Sequence, residues 1–194
     1  VCSSDLCDVI TQRLVKLLAK QEEEIDRDKS EERQQKIRKM VFRLYDATRA
    51  VETVPVQVLP YTRMGGGDGG KFVLPSTEEL LQFSVIICTC QDAHLLFLAG
   101  LTNSSLRRRR KCLQLDMEER LKSSGLELRG TIEGANNPHF THFFIDEAAQ
   151  ATEPESLIPL SCVVDDYPDA TKVEIALCGD PRQLGPSKIG RAHV

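Results

Sequence analysis

Two short acidic segments carry the residue types needed for phosphate chemistry. Residues 140–150 read Phe140-Thr141-His142-Phe143-Phe144-Ile145-Asp146-Glu147-Ala148-Ala149-Gln150, an apolar run ended by two adjacent acids. Acids at the tip of a buried strand are costly to desolvate unless they bind or react with something. Open parallel sheets bind ligands at the carboxyl ends of their strands, which is where Asp146 and Glu147 would stand. Magnesium takes oxygen ligands, keeps several waters and is commonly held by one carboxylate plus nucleotide phosphates, a role that suits Asp146. Glu147 could accept a proton from water attacking a terminal phosphate. Gln150 lies three residues past Glu147 and four past Asp146, so on a helix all three approach one face. An amide there orients water or nucleotide without adding charge. The plainer alternative is two acids decorating a helix N-terminus, where the dipole favours them.

A second segment makes that alternative less economical. Val173 to Cys178 is another apolar run, followed by Gly179-Asp180-Pro181-Arg182-Gln183-Leu184-Gly185-Pro186. Asp180 as N-cap, Pro181 at the first helical position and Gln183 at the third would make a good helix start. Two acid-tipped strands one strand–helix–strand unit apart are harder to explain by capping alone. If the strands are neighbours, Gln183 can reach the γ-phosphate region that Asp146 and Glu147 serve.

The elements that must hold these residues follow from periodicity. Residues 7–24 predict a helix, with Val9, Ile10, Leu14, Leu17 and Leu18 at helical spacing. Gln21 to Gln35 is charge-dense and reads as an exposed helix extension or a mobile loop. Lys39 to Tyr45 predicts a buried strand. Met64 to Gly70 ends a turn-rich segment in a glycine run; it lacks the G-K-[ST] of a phosphate loop and reads as a flexible surface insertion. Ser76 to Phe83 predicts a short helix with a Ser76–Glu79 capping box. Ser84 to Cys90 predicts a strand buried on both faces. Arg107 to Lys111 is a run of five cations leading into a charged helical stretch to about Leu128. Such a run could track a phosphate backbone, but a solvated, charged insertion over about 104–136 is the commoner explanation. From Phe140 to Ile145 comes a strand, from Asp146 to about Ser161 a helix, and from Lys172 to Cys178 another strand. This alternation predicts an α/β fold with a parallel sheet covered by helices on both faces.

The two acidic segments together, D-E-A-A-Q and G-D-P-R-Q-L-G-P, resemble motifs II and III of superfamily 1 helicases of the up-frameshift type. The longer run FTHFFIDEAAQATEPESLIPL resembles the Moloney-leukaemia-virus-ten and silencing-defective branch of RNA helicases (Mov10-like). Cys7 to Leu14, Lys71 to Pro75 and Val85 to Thr89 are similar to that family in order and spacing. The resemblance covers most of residues 7–187 and implies a partial RecA-like (P-loop NTPase) motor domain from the end of motif Ia to motif III. It implies ATP and Mg2+ as cofactors, single-stranded RNA or an RNA duplex as partner, 5′-to-3′ polarity, and a cytoplasmic protein. By the same resemblance Asp146 coordinates magnesium and Glu147 is the catalytic base. Gln150 contacts nucleotide or water, Gln183 senses the γ-phosphate, Gly179, Asp180 and Arg182 lie at the nucleotide, and Thr89 contacts nucleic acid. The G-x-x-x-x-G-K-[ST] loop does not occur in these 194 residues. Nor do they hold a second RecA-like domain, so the segment alone is expected to be inactive. Two alternatives stay open: a related helicase acting on DNA or RNA–DNA hybrids, and a non-catalytic RNA-binding scaffold that kept the fold.

Composition sets outer bounds. Hydrophobic residues at 41% and charged residues at 28% are ordinary for a soluble globular domain. No run approaches the roughly 20 apolar residues of a membrane span. The net charge of −4 neither points to nucleic acid nor excludes a local basic groove. Cys7, Cys88, Cys90, Cys112, Cys162 and Cys178 form no C-x-x-C pair and have no histidine at zinc-ligand spacing, which favours reduced thiols of a cytosolic or nuclear protein. The two ends can be encoded by reverse-complementary DNA: Ile189 to Val194 as ATC-GGA-AGA-GCA-CAC-GTC, and Val1 to Asp5 as its complement read one codon in. That is the pattern of a ligated sequencing adapter, so residues 1–6 and 188–194 are expected to be scars flanking 7–187.

Overall fold

The computed structural model describes residues 4–25, 30–66, 70–126, 137–164, 173–180 and 182. The chain divides into two compact units, Val1–Leu95 and Leu96–Val194.

In the first unit, α1 (Ser4–Ile25) and α2 (Ser30–Met40) lead directly into β1 (Val41–Arg43). The described parts of the charge-dense stretch, 21–25 and 30–35, are helical, while 26–29 lie outside the described residues; Lys36 of α2 pairs with Glu22 of α1 at 2.6 Å and Arg33 with Glu23 at 3.4 Å. The inward face of α1 keeps part of the apolar stripe that periodicity suggested, with Ile10, Leu14 and Leu18 half-buried, but adds polar residues to it. Cys7, Asp8 and Thr11 are buried, whereas Val9 and Leu17 are exposed. The cause is Arg43, buried at the end of β1, whose charge draws the Asp8 carboxylate inward.

β1 pairs in parallel with β2 (Val85–Ile87), with Val41 opposite Val85 and Arg43 opposite Ile87. The pairing is framed by Ser84 N–H to Met40 O at 2.8 Å and Leu44 N–H to Ile87 O at 2.9 Å. β2 is buried only at Ile87; Val85 and Ile86 are half-buried, so the expected two-sided burial is partial. The connection packs Val54, Val58 and Phe72 around Tyr45, with the Tyr45 and Phe72 rings 4.6 Å apart. The glycine run is flanked by an antiparallel bridge between Met64 and Phe72; residues 67–69 themselves lie outside the described residues. α3 (Thr77–Leu80) carries the Ser76–Glu79 capping box. α4 (His94–Leu98) spans the boundary of the two units.

In the second unit, α5 (Asn103–Ser123) opens with Thr102 as N-cap and buries Asn103, Leu106 and Arg107. The stretch expected to be a solvated insertion from 104 is therefore packed over its first turn and exposed beyond it, while residues 127–136 lie outside the described residues. Asn103 explains the packing. Its amide nitrogen donates to Phe140 O at 3.0 Å and Val163 O at 2.7 Å, and its oxygen accepts from Phe140 N–H at 2.8 Å. One buried side chain thus ties α5 to the approach to β3 (His142–Ile145) and to the end of α6 (Glu153–Val163).

β3 pairs in parallel with β4 (Glu174–Leu177), His142 opposite Glu174 and Ile145 opposite Leu177. This is the strand–helix–strand unit the sequence predicts. α6, however, begins later than expected. A 3-10 turn occupies Ala148–Gln150, and α6 starts only after the Thr152–Glu155 capping box, so 146–161 is not one helix. Among the described residues the strands form two separate two-stranded parallel sheets rather than one, and the second is not covered on both faces. Phe144 and Leu177 are 70% and 64% exposed because two strands supply too few neighbours to bury them.

Replacing Asn103 with Ala would leave buried polar groups of Phe140 and Val163 unpaired. The expected loss is about 2–4 kcal/mol, read as a lower denaturant midpoint for the second unit.

Candidate functional site

The backbone ladder of β3 and β4 does not stop at their last residues. Cys178 N–H donates to Ile145 O at 2.8 Å, and Ala148 N–H donates to Cys178 O at 2.7 Å. The chain after β3 therefore turns sharply across the tip of β4 instead of continuing outward. Glu147 makes the turn by adopting φ 53° and ψ 37°, the only left-handed non-glycine residue among those described. An L-residue there strains its Cβ against the carbonyl oxygen, at a cost of roughly 1–2 kcal/mol.

The close approach depends on Gly179. A Cβ at that position would lie 3.0 Å from Ala149 N and 3.3 Å from Ala149 Cβ, tighter than packed atoms tolerate. The small pair Ala148-Ala149 and the glycine are thus complementary surfaces. Sequence reasoning read the acids and Gln150 but passed over this pair, whose signal was two consecutive minimal side chains before the next capping box.

Turning at Glu147 gathers the predicted residues, though not by the route expected. Asp146 Oδ1 accepts the Glu147 N–H at 3.0 Å, which fixes the exposed carboxylate at the strand end. Gln150 Nε2 donates to Glu147 Oε2 at 3.1 Å, and Gln150 N–H donates to Glu147 O at 2.9 Å. The amide reaches the acid through a 3-10 turn, not along one helical face. Asp180, one residue past Gly179, is exposed and accepts the Arg182 N–H on Oδ1 at 2.9 Å. Asp146, Glu147, Gln150 and Gly179 come together at one end of the sheet, with Asp180 and Arg182 directly beyond. Gln183 lies outside the described residues. Thr89 belongs to the first unit, where its Oγ1 accepts the Asp92 N–H at 2.9 Å just past β2.

Chemically, the site offers carboxylate oxygens at adjacent strand ends, with the exposed thiol of Cys178 at the end of β4. Among the described residues no group of three or more His, Cys, Asp or Glu could by itself hold a metal ion. A hard divalent cation would fit only with oxygens from a ligand such as phosphate completing its shell, the usual situation of magnesium on nucleotides.

Residues 123–189, which contain both strand ends, match the family model of an AAA domain. The human RNA helicase Mov10l1 is 53% identical over 63 residues, 31% of this chain and 5% of that protein. A Danio rerio protein named as a helicase, mov-10-B.1, is 26% identical over 146 residues, 75% of this chain and 10% of its own length. The Drosophila melanogaster protein armi, named as an RNA helicase, is 44% identical over 46 residues, 24% of this chain and 4% of its own length. Over these stretches the chain is similar to Mov10-like RNA helicases. It spans a tenth or less of the length of these Mov10-like relatives. No solved structure matches it. Among the described residues no helix is long and apolar enough to cross a membrane.

Two substitutions separate the packing from the chemistry of this turn. Gly179→Ala is expected to push the 147–149 turn off β4, costing about 1–3 kcal/mol, with the Ala148 amide losing hydrogen-exchange protection. Glu147→Gly should instead raise stability by up to about 1 kcal/mol, after glycine's greater chain entropy offsets part of the relieved strain. A fall in the unfolding midpoint of Glu147→Gly would show that the Gln150–Glu147 hydrogen bond and the lost chain entropy outweigh the strain relieved at the turn.

Proposed function

We propose that this chain contributes to the ATP-hydrolysing motor of an RNA helicase, with residues 7–187 part of one RecA-like domain. The observation that carries this reading is the juxtaposition at the ends of β3 and β4: Asp146 at the strand tip, Glu147 turned back and held by Gln150, and Asp180 on the neighbouring strand end. The exposed Phe144, Ile175 and Leu177 support it as well. Strands so apolar on their open faces suit a wider sheet with further neighbours on both sides.

In this reading Asp146 would help hold a magnesium ion together with nucleotide phosphates, and the ion would neutralise charge on the phosphoryl oxygens. Glu147 accepts the proton of the attacking water. Its Oε2 is engaged by Gln150, while Oε1 makes no hydrogen bond among the described residues and is open to that water. The donated amide hydrogen bond fixes the carboxylate's rotation, so the base is oriented before the water arrives. Gln183 senses the γ-phosphate, and Gly179, Asp180 and Arg182 border the nucleotide from β4. Thr89 contacts RNA, and closure against a second RecA-like domain couples hydrolysis to movement along the strand. RNA is favoured over DNA because the similar proteins Mov10l1 and armi are named as RNA helicases.

The decisive test is Glu147→Gln in the full-length protein. Phosphate release is expected to fall by about 10^2- to 10^4-fold, the usual contribution of a positioned base, with ATP binding by equilibrium titration retained. Unchanged turnover would remove Glu147 from this role. A wild-type protein that binds RNA without hydrolysing ATP would favour a scaffold. Faster unwinding of a matched DNA duplex would reassign the substrate.

A further inference from the structure

The first unit contains an ion pair that stability alone explains poorly. Arg43, at the end of β1, is fully buried, and Asp8 and Tyr45 are nearly so. Arg43 Nε donates to Asp8 Oδ1 at 3.0 Å, and the Tyr45 hydroxyl donates to the same oxygen at 2.5 Å. The guanidinium also lies 4.0 Å over the Tyr45 ring. Burial, then the bond to Asp8, pushes the Tyr45 phenol well above its ordinary value, so it remains a donor. Asp8 Oδ2 is buried with no hydrogen-bond partner. Buried pairs are commonly no more stabilising than apolar side chains of similar size, and an orphaned oxygen makes this one less favourable still.

The guanidinium links several backbone positions: its Nη2 donates to Ser4 O at 3.2 Å and Ser4 Oγ at 2.9 Å, and its Nη1 reaches the end of the β1–β2 pair. Arg43 Nη1 donates to Leu44 O at 2.5 Å and reaches Ile87 O at 3.5 Å, the carbonyl that also accepts from Leu44 N–H. Beside Asp8, the Cys7 thiol donates to Cys88 O at 3.3 Å. Two successive carbonyls at the end of β2 are therefore held by side chains of α1 and β1. The next residue is Thr89, whose Oγ1 and carbonyl accept from the Asp92 and Ala93 amides and shape the turn that follows.

We propose that Asp8 and Arg43 are positioning residues for RNA binding: Asp8 orients Arg43, which holds the Ile87 carbonyl two residues before Thr89 and so helps fix the Thr89 turn. This rests on the assignment of Thr89 as an RNA contact. Neither side chain can meet RNA itself, because both are buried; Asp8 orients Arg43, which acts through the carbonyl of Ile87. Arginine suits the task because its planar fork reaches a carboxylate and backbone carbonyls at once, whereas lysine presents a single point charge.

The test uses the full-length helicase and a fluorescein-labelled oligouridine. Arg43→Lys and Asp8→Asn are each expected to weaken RNA binding about tenfold, equivalent to about 1.4 kcal/mol. The RNA concentration for half-maximal ATPase should rise with it, while turnover at saturating RNA changes by less than about twofold, as loss of binding shared by ground and transition states requires. Asp8→Asn carries the test if Arg43→Lys does not fold. A double-mutant cycle with Thr89→Ala should be strongly non-additive, because both changes act on one contact. If Thr89→Ala weakens RNA binding but Arg43→Lys and Asp8→Asn do not, or if their effects add fully to it, the positioning role is overturned. If Thr89→Ala leaves RNA affinity unchanged, Thr89 is not the contact and the proposal falls with that reading.

Discussion

The bond from Ala148 N–H to Cys178 O, 2.7 Å long, decides what the second unit can do. A parallel strand pair ordinarily leaves its carboxyl ends to diverge into separate loops. Here one more backbone bond is made beyond the last paired residues, and it requires the chain after β3 to fold over the tip of β4. That demand fixes three residue types at once. Gly179 must lack a side chain, Ala148 and Ala149 must be small, and Glu147 must accept a left-handed backbone. The acids at the strand ends are then placed at one end of the sheet as a consequence of its backbone geometry.

The left-handed Glu147 is instructive because its strain is local and avoidable. Asparagine or glycine would turn the chain with less cost, yet neither carries a carboxylate on a side chain long enough to be reached by Gln150 Nε2. Strain of this kind persists where surrounding contacts over-determine it. The contacts are identifiable: the Asp146 Oδ1 bond before it, the Cys178 carbonyl after it and Gln150 on its side chain. An isolated N-terminal acid of a helix would need none of these. The simple dipole account of Asp146 and Glu147 therefore fails on geometry, since no regular helix begins until Glu153.

The sequence revealed element types better than their arrangement. Strand positions were legible because β-type apolar runs are bounded by turn residues, and both capping boxes announce themselves at fixed spacing. The parallel pairing of β3 with β4 followed from an intervening helix long enough for a crossover. Three features were hidden for separate reasons. The helix expected from Asp146 was broken by a tertiary contact with β4, which no local pattern encodes. The buried face of α1 is mixed, because Arg43 draws Asp8 inward beside Cys7 and Thr11, so an apolar-stripe rule finds Leu14 and Leu18 but not the polar residues that share their face. The start of the charged stretch at 104 reads as solvent-loving, yet Asn103 anchors it by three hydrogen bonds to backbone far away in sequence.

Both units use one stratagem at the carboxyl end of a parallel pair. In each, a side chain or backbone amide from outside the ladder takes the carbonyl of the last or next residue: Arg43 and Cys7 at Ile87 and Cys88, Ala148 at Cys178. Carbonyls at strand ends must otherwise be satisfied by water, and a watered end is free to move. Satisfying them internally makes the following turn a continuation of the sheet's rigidity. A side chain mounted on such a turn keeps its position to the precision of the sheet rather than that of a loop. Thr89 and Glu147 are mounted in this way, one just beyond each strand pair. The pattern argues that the positions just past the strands, more than the strands themselves, are where this fold invests its unusual residues: a buried ion pair in one unit and a left-handed glutamate in the other.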